Sequence, residues 1–149
     1  MIAPNIPTET RQNWMGLLAR AKPDRLAQLF PDLPEHSFLR PPEIGAVMVR
    51  GRTGGVGQPF NLGEMTVTRC TVTLADGAVG HAHVQGRDKG HATRAAIMDA
   101  LLQGAESARM TTQVLTPLTA EETARRQTRA DKAAATKVEF FTLVRGEDK

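Results

Sequence analysis

Cysteine and aromatic residues are scarce in this chain. Its 149 residues include one cysteine, five phenylalanines, one tryptophan and no tyrosine. A lone cysteine excludes an internal disulfide. Proteins that bind single-stranded nucleic acid normally stack bases on several aromatic rings, which this chain largely lacks. The sequence also has no long basic run. We therefore expect no nucleic-acid partner.

Long apolar runs are missing as well. No stretch approaches the roughly 20 apolar residues that a membrane-spanning helix needs, and the first residues lack the basic and apolar regions of a secretory signal. These absences predict a soluble cytoplasmic protein with no membrane partner. Hydrophobic residues make up 40% and charged residues 23%, which is typical of one globular domain over residues 1–149 with a loose lead-in at 1–8. The net charge of +3 favours anionic ligands only mildly.

Apolar spacing and prolines predict two short helices near the start. The first begins at Thr8 or Thr10 and ends before Pro23. Its buried side is formed by Trp14, Leu17, Leu18 and Ala21. The second begins at Pro23, which suits a first helical position, and ends at Pro31. The proline-rich stretch that follows, up to Pro42, predicts an extended connector.

Three strands are predicted in the middle of the chain, over 43–50, 64–74 and 78–85. The first contains a continuous apolar run at 46–49, which is typical of a central strand. The dipeptide Asp76-Gly77 indicates a two-residue hairpin between the other two strands. In that register Cys70 faces His83, and Cys70, His81 and His83 share one face of the sheet.

Two further helices and a last strand complete the predicted order. Asp88 caps a helix that runs through Gln103, and Thr119 with Glu122 forms a capping box for the next one. The latter is rich in alanine and has few large apolar groups, so we expect it to pack closely on something or to project toward a partner. Residues 137–145 resemble a strand. The sum is an α+β domain, α-α-β-β-β-α-α-β, with a mostly antiparallel sheet of about four strands.

A loop rich in glycine and arginine joins the first two predicted strands. Glycine lets a backbone approach a ligand closely, and arginine binds oxyanions with a rigid fork of donors. The loop lacks the Gly-Lys-Ser/Thr of a Walker P-loop, and Phe60 stands where a dinucleotide fingerprint needs its last glycine. The loop is therefore either a basic clasp around a phosphate or a partner's carboxylate, or a mobile connection.

Two clusters of basic residues are candidates for binding an anion or a partner. The first lies near the glycine loop and consists of Arg50, Arg52 and Arg69. The second opens the helix after the third strand and consists of Arg87, Lys89 and His91. Free N–H groups at a helix N-terminus attract anions and would reinforce the second cluster. The plainer interpretation of both clusters is an ordinary solvated surface.

Cys70, His81 and His83 are the candidates for catalysis. A cysteine beside a histidine can form a thiolate nucleophile, and one cysteine with two histidines could begin a zinc site. A third orienting residue for the nucleophile and a fourth metal ligand are both missing, so we predict no metal site. The structural alternative is a buried cysteine that packs as a small hydrophobe.

Several segments carry a resemblance to a known family. They are Arg-Pro-Pro-Glu-Ile-Gly (40–45), Val-Met-Val-Arg-Gly-Arg (47–52), Phe-Asn-Leu-Gly-Glu-Met-Thr-Val-Thr-Arg-Cys (60–70), Val-Gly-His-Ala (79–82) and Gly-Arg-Asp-Lys (86–89). Together with similar residues at 11–15 and 137–141, they resemble the PhnG subunit of the bacterial carbon–phosphorus lyase system. The likeness spans roughly residues 11–145.

The resemblance implies a non-autonomous subunit in phosphonate catabolism. Its implied partners are subunits of the PhnH, PhnI, PhnJ and PhnL types. The implied complex exchanges the adenine of ATP for methylphosphonate and forms alpha-D-ribose 1-methylphosphonate 5-triphosphate. ATP is then a substrate of the complex, and the chain has no cofactor of its own. The family assigns no catalytic residue securely to this chain.

Two other functions remain open at this stage. One is an independent phosphotransfer or hydrolytic enzyme that uses Cys70, His81 and His83. The other is a purely structural scaffold subunit. Isolated copies are also candidates for a homodimer, because surfaces that partners normally cover would be exposed.

Overall fold

A three-stranded antiparallel sheet, covered on one side by helices, forms the fold. The structure is a computed structural model and describes residues 6–138. Its first elements are the helices α1 (Thr8–Arg20) and α2 (Pro23–Leu29) and the strands β1 (His36–Arg52), β2 (Pro59–Leu74) and β3 (Val79–Gln85). A short helix-like turn, Thr53–Gly55, lies between β1 and β2. The later elements are α3 (Lys89–Leu102), α4 (Ser107–Met110), a π-helical turn (Thr111–Leu115) and α5 (Thr116–Ala135).

The α+β class and the predicted order of elements are confirmed for the described part of the chain. The strand order in the sheet is β1-β2-β3, and both pairs are antiparallel. The predicted last strand at 137–145 falls almost wholly outside the described residues. Its first two residues, Lys137 and Val138, belong to no strand.

The first two helices bury the side chains that their spacing predicts. Leu18 and Leu26 are almost wholly inaccessible, and Trp14 is 8% exposed. Pro23 occupies the first turn of α2 as predicted. The predicted threonine cap of α1 is wrong, since Pro7 stands at the cap position and no side chain caps the helix.

Strand β1 is longer and more exposed than predicted. It begins at His36 and runs through the proline pair that suggested a connector. An edge strand tolerates proline at bulges, and the β1–β2 register shifts on both sides of Arg40. The prediction of a central strand is also wrong, because β1 lies at the edge and residues 46–49 are exposed or half-buried.

Beyond the reach of β3, strands β1 and β2 continue as a two-stranded ribbon, here termed the arm (residues 46–66). Strand β3 pairs with β2 only between Val67 and Thr73, whereas β1 and β2 stay paired as far as Arg52 and Pro59. Two-stranded ribbons are marginally stable on their own in water. The arm is therefore the part of the sheet with least support from the domain core.

The β2–β3 hairpin differs by one residue from its predicted register. The backbone N–H of Leu74 donates to the carbonyl of Ala78 at 2.9 Å, so the loop has three residues and ends on Gly77 at φ 87°. Glycine in the left-handed region is typical of a three-residue hairpin loop. A shift of one residue brings the opposite set of side chains together. Cys70 consequently lies opposite Ala82, not His83.

The hydrophobic core lies between the sheet and α3, with α1 and α2 packed beside it. Strands β2 and β3 contribute Val72 and Val84, and α3 contributes Ile97 and Met98, all at most 1% exposed. Gly80 lies where β3 meets α3, and a Cβ there would be 1.9 Å from the Ala96 carbonyl oxygen. The absence of a side chain at this position lets α3 lie directly against the strand.

Helix α3 begins as predicted. The Asp88 side chain accepts a hydrogen bond from the backbone N–H of His91 at 2.8 Å, which is the predicted N-cap contact. The helix ends at Leu102, beside the predicted end at Gln103. Its buried surface is wider than predicted because its alanines are also covered.

A buried carboxylate ties α1, β3 and α3 together. Asp99 is wholly inaccessible. It accepts hydrogen bonds from Trp14 Nε1 at 2.8 Å and from Arg11 Nη2 at 2.7 Å. The backbone N–H of His81 donates to it at 2.9 Å. The hydrogen bond to Asp99 raises the pKa of Arg11, against the opposing effect of burial. Because Asp99 lies on α3 and these partners come from α1 and β3, the carboxylate fixes how the helices sit on the sheet.

Helix α5 does not begin at the predicted capping box. Thr119 lies inside helical structure and donates to the Leu115 carbonyl at 2.8 Å. Glu122 instead accepts a hydrogen bond from Arg20 at 2.6 Å, and this bond lowers the pKa of Glu122. From residue 123 to the end of the described chain, every residue is exposed. The helix therefore projects from the domain, which was one of the two predicted arrangements.

Candidate functional site

The sheet face opposite α3 carries a group of polar side chains, here termed the open-face cluster. Its members are Arg40, Glu43, Arg69, Thr71, His81 and His83. They form two adjacent rows across the sheet. Glu43 pairs with Arg69, which pairs with His83, and Arg40 pairs with Thr71, which pairs with His81. Two arginines and two histidines are thereby brought onto one surface.

Five members of the cluster line a shallow cleft of about 220 Å³. Arg40 donates from Nε and Nη2 to one oxygen of Glu43, at 3.1 and 2.8 Å. Thr71 Oγ1 lies 3.1 Å from His81 Nδ1. Arg69 is half-buried as a residue, and its side chain makes no ion pair with any residue between 6 and 138. A cation in this position is available to an external anion.

Cys70 lies on the other side of the sheet, in the core. Its residue is 1% exposed, while His81 and His83 are exposed on the opposite face. The predicted Cys70–His83 pair is therefore wrong, because the hairpin loop has three residues. Burial raises the pKa of the Cys70 thiol, and a hydrogen bond with Thr93 lowers it by less. A thiol kept protonated is a poor nucleophile and a poor metal ligand.

The buried position of Cys70 predicts a slow thiol. We expect an aromatic disulfide reagent at pH 8 to modify the native protein at least about 100-fold more slowly than the chain unfolded in urea, because the thiol is inaccessible and protonated. Absorbance of the released thiolate measures the rate, and the chain has no second cysteine to confuse it. Equal rates in the native and unfolded protein would contradict this placement.

Within residues 6–138, no three histidine, cysteine or acidic side chains lie close enough together to hold a metal ion. The same part of the chain has no helix that combines the length and apolarity needed to cross a membrane.

The prediction that Arg50 and Arg52 lie near Arg69 is wrong. Glu43 lies opposite Arg69, and Arg50 is seven residues further along β1. At about 3.3 Å per residue, this separation is about 23 Å along the strand. The long β1–β2 ribbon thus carries the two arginines to the end of the arm, where they line a separate cleft of about 510 Å³.

The glycine loop at that end is a closed turn. Gly57 N–H donates to the Thr53 carbonyl at 2.8 Å, and Arg52 Nη1 donates to the Gly57 carbonyl at 3.2 Å. Gly54 and Gly55 have positive φ angles, which allow the chain to reverse in so few residues. The loop holds its shape with its own polar groups.

The members of the second predicted basic cluster differ in exposure to solvent. Arg87 and Lys89 are exposed before and within the first turn of α3. His91 is 4% exposed, and its Nε2 lies 2.8 Å from the Leu18 carbonyl oxygen. This contact joins α3 to α1. The prediction that His91 supports anion binding is wrong for that reason.

Exposed apolar side chains on the arm form a feature that sequence reasoning missed. They are Met48, Val56, Phe60 and Leu62. Val56 is 92% and Leu62 66% exposed. Concentrated apolar exposure of this kind marks interaction surfaces. The sequence signal that could have indicated this surface is the alternation of Phe60 and Leu62, next to glycines, at the start of β2.

Comparison with known proteins defines the class. The family described as phosphonate metabolism protein PhnG matches residues 9–146. The chain therefore belongs to this family, and the resemblance found in its sequence segments is confirmed. A relative from Rhizobium meliloti (strain 1021) is named alpha-D-ribose 1-methylphosphonate 5-triphosphate synthase subunit PhnG. It is 47% identical over 141 residues, which cover 93% of this chain and 90% of the relative.

Proposed function

We propose that this chain is a subunit of an alpha-D-ribose 1-methylphosphonate 5-triphosphate synthase and acts only together with partner subunits. The relative that is 47% identical bears that subunit name. In the proposed complex, ATP and methylphosphonate are substrates and adenine is released. The partners are subunits of the PhnH, PhnI and PhnL types, with a PhnJ-type subunit in the larger assembly. The chain itself needs no cofactor.

The arm is the observation that carries this proposal. It extends past β3 with only two strands, and it exposes Met48, Val56 and Leu62 by more than half. Leaving such side chains in water forgoes about 1.5–3 kcal/mol for each large one that could be buried. We propose that the arm docks into an apolar groove on a partner subunit, because a subunit must bury part of its surface against its neighbours.

Helix α5 offers a second surface to a partner. Its 20 residues extend about 30 Å, and ion pairs from Arg20 and Arg25 hold its first turns against the domain. The exposed remainder carries several basic residues: Arg125, Arg126, Arg129 and Lys132. A partner with an acidic surface would complement this helix.

Reconstitution tests the proposal. Adenine release from ATP in the presence of methylphosphonate is measured for the chain alone, for the partner subunits alone and for the mixture. We expect turnover only in the mixture, because the candidate nucleophile Cys70 is buried in the core and lies on the opposite side of the sheet from His81 and His83. Full turnover by the chain alone would overturn the proposal and support an independent phosphotransfer or hydrolytic enzyme. Full turnover by the partners alone would also overturn it.

A further inference from the structure

We propose that the open-face cluster is an oxyanion site for a phosphonyl or phosphoryl group. The cluster's ability to hold an anion rests on its own geometry. The choice of a phosphorus oxyanion among anions rests on the proposed function. This assignment gives the chain a ligand-binding role in addition to assembly.

Arg69 is the anchor of the proposed site. It is half-buried in the cleft and has no ion-pair partner in the described part of the chain. His83 lies directly opposite and His81 lies diagonally across the sheet, which places the β-carbons of both within about 8 Å of that of Arg69. A planar guanidinium can hold two oxygens of a tetrahedral anion. The two imidazoles are then placed to donate to its remaining oxygens.

Arg40 provides a second cation that an anion can recruit. Its two nitrogens both contact Oε2 of Glu43, so the pair is not the stronger two-oxygen fork. Both side chains are at least half-exposed, and exposed ion pairs contribute little stability. A bound oxyanion therefore competes well for Arg40. Glu43 remains the one acidic group of the cluster and opposes anion binding.

The cleft's size favours a small anion over an acidic peptide. Its volume of about 220 Å³ suits a phosphonate or one phosphate of a chain, and its walls come from all three strands. The arm-tip cleft is a weaker candidate. It offers two arginines, of which Arg52 already donates to the Gly57 carbonyl.

Calorimetric titration of the full chain with methylphosphonate and with tripolyphosphate tests the site. We expect Arg69→Gln to raise the Kd at least about tenfold, because it removes a charge-assisted contact. We expect Glu43→Gln to lower the Kd about threefold, because it removes the opposing charge. Arg109→Gln makes the same charge change as Arg69→Gln in α4, on the helix side of the domain, and leaves the Kd unchanged. Damage to the fold cannot produce tighter binding, so the Glu43 variant separates charge from stability.

The outcomes distinguish the two ligand sources and the two proposals. Tighter binding of methylphosphonate assigns the site to the phosphonate, and tighter binding of tripolyphosphate assigns it to the nucleotide. Absence of saturable binding of both probes would overturn the site, as would equal weakening by Arg69→Gln and Arg109→Gln. If Arg69→Gln instead prevents assembly and no probe binds, the cluster is a docking surface and the proposed function stands. Cluster-dependent binding without turnover in the reconstituted mixture keeps the site and rejects the proposed function.

Discussion

Replacing Asp99 with alanine is expected to lower the free energy of unfolding by about 3–5 kcal/mol. The substitution leaves the Arg11 guanidinium, the Trp14 indole N–H and the His81 backbone N–H without their shared acceptor. Domains of this size are stable by only about 5–15 kcal/mol, so the loss removes a large part of the total. Urea denaturation followed by circular dichroism measures the effect.

Two further variants control this result. Asp131→Ala removes an exposed aspartate that accepts a hydrogen bond from Gln127 on α5, and we expect a change within about 0.5 kcal/mol. Asp99→Asn keeps one acceptor oxygen but loses the charge that Arg11 pairs with, so it should fall between the wild type and Asp99→Ala. If Asp99→Ala unfolds at the same urea concentration as Asp131→Ala, the carboxylate does not join the three elements as described.

The double variant Val56→Ser/Leu62→Ser is expected to weaken assembly with the partner subunits about 100-fold. Burial of two large apolar side chains at an interface contributes roughly 3 kcal/mol together, which corresponds to about two decades in Kd. Both side chains are exposed in the isolated chain, so its unfolding free energy changes little. Native mass spectrometry over a concentration series measures the affinity.

Leu39→Ser is the matched control for the arm variant. Leu39 is 61% exposed on β1 but lies outside the arm, so Leu39→Ser removes about as much exposed apolar surface as Leu62→Ser does on its own. We expect assembly to be unchanged. Equal weakening by Leu39→Ser and Leu62→Ser would show that the arm is not the docking element. If the isolated chain forms a homodimer through the arm, the double variant also converts it to a monomer.

Local patterns predicted the helices well because their signals are local. The spacing of Trp14, Leu17 and Leu18 and the Asp88 cap each depend on contacts within a turn or two of the chain. The predicted cap at Thr119 failed because the π-helical turn before α5 connects it to α4. Because the helical structure continues from α4 into α5, Thr119 has no free helix N-terminus to cap.

The sheet was harder to predict because a difference of one residue in the length of the hairpin loop decides which side chains share a face. Asp76-Gly77 suits a two-residue hairpin, yet Ala75-Asp76-Gly77 suits a three-residue loop equally well. The three-residue loop occurs, and it moves Cys70 into the core while His81 and His83 face outward. The candidate histidines were found from sequence, but their association with Arg40 and Arg69 depends on this register.

Two other features depend on long-range context. The apolar run at 46–49 looks like a buried strand, but within residues 6–138 it lies on an edge strand and its residues are exposed or half-buried. Asp99 was missed although it stands alone in the apolar stretch of α3. A single acid among buried residues signals a paired charge, but its partners lie far away in sequence, on α1 and β3.

Hydrogen–deuterium exchange of the arm amides tests the central claim most directly. The chain is measured alone and in the reconstituted complex, with peptides from residues 46–66 followed over time. Because a two-stranded ribbon opens readily, we expect rapid exchange in the isolated chain and at least about tenfold slower exchange after assembly. Unchanged exchange of these amides in an assembled, active complex would contradict the account.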